Sequence, residues 1–66
     1  MEKIDADALV RDCFYEVRMY PADRVRVYQG LAEFRGLTTE ERIKRRIFED
    51  ILQALHEMEH RYEPVI

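Results

Sequence analysis

A chain of 66 residues holds one domain at most, of a size at which folding buries only about 60% of the unfolded surface and a single core is marginal. Eleven basic and 14 acidic residues leave a net charge of −3, which argues mildly against non-specific nucleic-acid binding. There is no serine to act as a nucleophile, the lone Cys13 excludes an internal disulfide, and two glycines are too few for a phosphate-cradling loop, so an enzyme is not expected and no cofactor is assigned.

Taken in chain order, Glu2, Asp5 and Asp7 form an acidic leader suited to a helix N-terminus, with Asp5 or Asp7 as the cap. Leu9, Val10, Cys13, Phe14, Val17 and Tyr20 follow at helical spacing and predict a helix over about 6–20. Cys13 falls on its apolar side and is expected to be a buried free thiol, which suits a reducing compartment. Tyr15 and Met19, four apart, lie on the opposite side and suggest a second sticky surface.

Pro21 is expected to end this helix and open another over about 21–35, with Asp23 in its first turn and Gly36 as its stop. Val25, Val27, Tyr28, Leu31, Ala32 and Phe34 supply the apolar half of that wheel. The alternative is an α+β fold in which residues 14–30 form a β-hairpin about Pro-Ala-Asp, since the stretch is rich in Val, Tyr and Phe. The apolar spacing fits a period of 3.6 better than strict alternation, so helices are preferred.

Thr38-Thr39-Glu40-Glu41 then sets a threonine three residues before a glutamate, the signature of a reciprocal helix cap. Ile43, Ile47, Ile51, Leu55, Met58 and Tyr62 recur at steps of three and four, and Phe48, Leu52 and Ala54 widen the stripe to half the circumference. A long amphipathic helix is expected over about 39–63, roughly 37 Å in length, with Pro64 as its stop. The fold expected is all-α: one domain of two short helices and one long one, completed by oligomerisation or a partner.

Three features bear on function. His56-Glu57-Met58-Glu59-His60 resembles the H-E-x-x-H motif of the zincin metalloproteases, in which two histidines one turn apart share a zinc ion and the glutamate serves as base. The resemblance covers five residues. Glu59 departs from the family's uncharged middle positions, only Glu63 follows as a possible third ligand, and both histidines fall on the polar half of the wheel, so His56 and His60 are read as solvent-facing and a metal-binding protein through them ranks third among the functional readings.

Leu31-Ala32 followed by Gly36-Leu37-Thr38 resembles the turn of helix-turn-helix DNA-binding proteins, with Arg42, Lys44, Arg45 and Arg46 where a recognition helix would begin. That resemblance implies a nucleic-acid-binding regulator as the alternative function. Arg42 stands where the motif has an apolar residue, and Glu40, Glu41, Glu49 and Asp50 bracket the basic cluster. The third feature is a charge gradient, basic around the junction near Arg45 and acidic toward Glu59, which would set opposite charges side by side in an antiparallel pair.

The leading expectation is a small protein–protein interaction module: a homodimeric regulator, an inhibitor or an accessory subunit. Its docking residues are taken to be Tyr15, Met19, Phe48, Leu52, Leu55, Met58 and Tyr62, because apolar helical faces this broad exceed what so short a chain can cover, and aromatic and methionine side chains are typical anchors. The partner is a second copy or a larger protein. No leader peptide and no apolar run of membrane-spanning length is evident, so a soluble cytoplasmic protein is expected.

Overall fold

The structure, a computed structural model, describes residues 4–64. Two antiparallel helices make up the fold, α1 over Ala6–Phe34 and α2 over Thr39–Arg61, and no strand occurs among the described residues. The all-α expectation holds, and a β-hairpin over 14–30 does not, because that whole stretch lies inside α1.

The ends of both helices follow from local chemistry. Asp5 caps α1, its carboxylate accepting from the Ala8 amide at 3.2 Å. At the far end Gly36, with φ of +80°, donates to the carbonyls of Leu31 and Ala32 at 3.1 and 3.2 Å, so the glycine closes the helix in a conformation side chains resist. Thr38 and Glu41 make the reciprocal cap of α2: the Glu41 amide donates to Thr38 Oγ1 at 3.2 Å and the Thr38 amide to Glu41 Oε1 at 2.9 Å.

Three helices are corrected to two. Pro21 was expected to separate 6–20 from 21–35, yet it sits within a continuous α1, where it lacks the amide that would bond back to Val17. The compensation is tertiary. Phe14, Arg18, Pro21, Val25, Tyr28 and Ala32 recur at alternating steps of four and three, are all half-buried or buried, and form one seam that crosses the proline without a break. Glu41, Arg45, Phe48, Leu52, Leu55 and Glu59 keep the same rhythm on α2. A 23-residue α2 presents its seam along its whole length, and only an uninterrupted α1 can match it.

The pairing register is explicit. Tyr28 stacks on Phe48 at 6.3 Å between centroids, and Phe14 meets Tyr62 edge-on at 5.9 Å. Arg35 pairs with Glu41 beside the turn, and Arg18 with Glu59 between the helices. The long helix also ends at Arg61 rather than Glu63. Tyr62 takes extended backbone angles and turns its ring onto Phe14, and Glu63 precedes Pro64, where helix is disfavoured.

Antiparallel pairing yields a plate, with Cα extents of 55 × 20 × 12 Å. Its thickness is that of one helix layer, whereas domains ordinarily enclose a core between two layers. The buried residues among those described are accordingly Pro21 and Tyr28, the latter 4% exposed. Cys13, expected to be buried, is exposed instead: it lies one seventh of a turn or more beyond the seam, on a face that nothing covers.

Candidate interaction surface

Each helix carries two apolar stripes, of which the hairpin uses one. On α2 the half-buried seam runs through Phe48, Leu52 and Leu55, while Ile43, Ile47, Ile51, Ala54 and Met58 form a second stripe about a third of a turn away and remain exposed. On α1 the second stripe is Leu9, Cys13, Val17, Tyr20, Val27, Leu31 and Phe34, and all but the half-buried Leu31 are exposed. Phe34 is 86% exposed and Tyr20 66%.

Both open stripes lie on the same side of the plate. Tyr20 meets Phe48 edge-on at 5.9 Å and lines one shallow groove together with Ile47 and Lys44. Near the open end Leu9, Val10 and Cys13 line another with Phe14 and Tyr62. The result is a two-helix face, apolar apart from Arg24 and Lys44 at the central groove, that runs from Leu9 and Met58 at one end to Phe34 and Ile43 at the other.

The docking residues expected from sequence divide accordingly. Phe48, Leu52 and Leu55 are half-buried in the seam and are largely consumed inside the chain. Met58 belongs to the open face, and Tyr62, 53% exposed, borders it. Tyr15 and Met19 lie on the other side of α1, where they line a groove with Ala22 and Arg26. The larger part of the open face, Ile43, Ile47, Ile51, Leu9, Val17, Tyr20, Val27 and Phe34, lies outside the docking set expected from sequence. The signal existed: α2 has apolar positions in two registers, 48/52/55 and 43/47/51/54/58, which separate when each is traced at its own rhythm.

The plate's polar features are mostly paired. Lys44 reaches Glu40 at 2.9 Å, Arg45 Glu49 at 3.5 Å and Arg46 Asp50 at 3.2 Å, each one helical turn away, and the Arg42 guanidinium donates to the Leu37 carbonyl at 3.4 Å. The basic cluster is thus interleaved with carboxylates that oppose a phosphate backbone. The turn at 35–38 reverses the chain into an antiparallel hairpin, and α1 before it runs unbroken.

His56 and His60 are exposed on α2, with ring centroids 4.6 Å apart. Among the described residues no group of three histidine, cysteine, aspartate or glutamate side chains is placed to hold a metal ion.

Arg24 rests over the Tyr28 ring, 5.1 Å from its centroid, and donates to the Tyr28 hydroxyl at 3.2 Å, which satisfies the polar end of the one buried ring. At the turn, two guanidinium bonds from Arg35, at 3.0 and 2.7 Å, together with the Thr38 amide hold the Glu41 carboxyl down at about 2, against an ordinary 4.5. No helix among the described residues is long and apolar enough to cross a membrane. Comparison of the chain with protein-family models, with curated proteins and with solved structures gave no match.

Proposed function

We propose that the chain is a non-enzymatic protein–protein interaction module that docks another polypeptide on the face formed by Ile43, Ile47, Ile51 and Met58 of α2 with Leu9, Val17, Tyr20 and Val27 of α1. The observation that carries this reading is the contrast between Pro21 and Tyr28, the buried residues among those described, and an open apolar stripe along each helix, both on one side. Soluble monomers rarely leave an apolar surface of this extent in water. The activity is therefore binding, in the role of a homodimeric regulator, an inhibitor or an accessory subunit. A reducing compartment such as the cytoplasm suits the exposed thiol of Cys13 at the edge of that face.

The test is photo-crosslinking in the native cell with a benzophenone side chain at Ile47, compared with one at Gln29 on the far side of α1. Ile47 should yield a defined crosslinked protein band, of whatever identity, well above the Gln29 level. Equal, diffuse labelling from both positions would sink the reading.

A further inference from the structure

We propose that the occupant of the open face is a second copy of this chain, stacked face to face with its turn at the opposite end, so that two plates form an antiparallel four-helix bundle. The inference rests on the interaction-module reading above and names its partner.

Area is the first argument. A compact monomer of 8.0 kDa exposes about 4,450 Å². This chain exposes 5888 Å². Removing the surplus from both copies would bury roughly 2,900 Å² in total, within the range of about 2,000–5,000 Å² seen for obligate homodimers. A long, flat, apolar plate covers both stripes end to end, since the face runs along a 55 Å molecule one helix thick. The chain is itself such a plate, and a two-fold pairing needs only one self-complementary surface.

Charge fixes the direction. Residues 20–50, the turn half, carry seven basic and six acidic side chains, whereas the other described residues carry three basic and seven acidic. Stacking two plates with turns at opposite ends lays the more basic half of each over the acidic half of the other, and stacking them with turns together sets like on like.

The register follows from the stripes. Within the hairpin, pairs such as Tyr28–Phe48 and Phe14–Tyr62 put Ala54 level with Ala22. Reversing α1 about that level sets Leu9 against Phe34, Cys13 against Leu31 and Val17 against Val27. Reversing α2 sets Ile51 against Met58 and brings Ala54 onto Ala54 of the second copy. Helix axes packed about 10 Å apart, with Cα atoms about 2.3 Å off each axis, leave roughly 5 Å between facing Cα atoms on the two-fold. A methyl side chain fits there, and that separation lies within the span of a disulfide.

The experiment uses the full chain. Sedimentation equilibrium from low to high micromolar concentration should give a species of twice the 8.0 kDa chain mass. Ile47→Glu should weaken association at least tenfold, while Gln29→Glu, on the far side, leaves it unchanged. Ala54→Cys in a Cys13→Ala background should convert most of the chain to a covalent dimer on mild oxidation, and this readout does not depend on a destabilised variant folding.

A helical chain that sediments as a monomer throughout overturns the proposal, as does loss of the dimer through Gln29→Glu. A dimer that Ala54→Cys does not link overturns the antiparallel register. If the chain is monomeric while the Ile47 photo-crosslink captures a different protein, only the choice of partner has failed. If neither occurs, the interaction reading fails with it.

Discussion

At the scale of single residues, the turn is held by an acid whose titration is displaced. Glu41 is lowered to about 2 chiefly by the Arg35 guanidinium and then by the Thr38 amide. A carboxyl more acidic in the folded chain than in the unfolded one stabilises the fold fully above the ordinary value of 4.5, and this contribution is lost as pH falls from there toward 2. Thermal unfolding followed by circular dichroism should therefore show a midpoint that drops across that window. Glu41→Gln should lower the midpoint at pH 7 and flatten the acid slope; an unchanged slope would remove Glu41 as its source. This part of the molecule is legible in sequence, because a cap is written within four consecutive residues. Asp5, Gly36, Thr38 and Glu41 all act over such short spans.

At the scale of elements, local signals gave way to the seam. Proline inside a helix is about 3 kcal/mol less favourable than alanine, which is why Pro21 reads as a boundary. The structure keeps it because the ring is buried against α2 in a seam that extends on both sides. The ring's burial returns about 1 kcal/mol, so Pro21→Ala should stabilise the chain by about 1–2 kcal/mol, raising the midpoint by on the order of 10 °C. A lower midpoint would mean that the proline shapes α1 in a way the seam requires. What the sequence hides here is the merging of two helices and of two stripes. A half-circumference of apolar residues on α2 looks like one broad face until Phe48, Leu52 and Leu55 are matched to a specific partner, and that partner is non-local.

At the scale of the whole molecule, the excess of apolar surface is legible from apolar arcs too broad for so short a chain, and the side on which it accumulates is not. Nothing in the one-dimensional pattern states that the open stripes of α1 and α2 face the same way; that depends on the antiparallel register set at Gly36. With Pro21 and Tyr28 as the buried residues described, the free hairpin has little to hold it together, and on the proposed pairing its stability is tied to association. The unfolding midpoint should accordingly rise by several degrees for each tenfold increase in chain concentration. A midpoint independent of concentration would show that the hairpin is stable by itself. Added salt should lower the midpoint modestly at fixed concentration, because the two halves of the plate differ in charge.

The ladder of pairs from Arg35–Glu41 through Tyr28–Phe48 and Arg18–Glu59 to Phe14–Tyr62 makes the hairpin a zip with its slider at the turn. Once one rung is closed, the next has to order only the residues between the two, so the chain pays for order in small steps and folding can run outward from Gly36 rapidly. The same geometry orders the fraying. Amide exchange should slow from the Leu9 and Arg61 end toward Leu31 and Arg45, and shortening both termini together should remove rungs one at a time without scrambling those that remain.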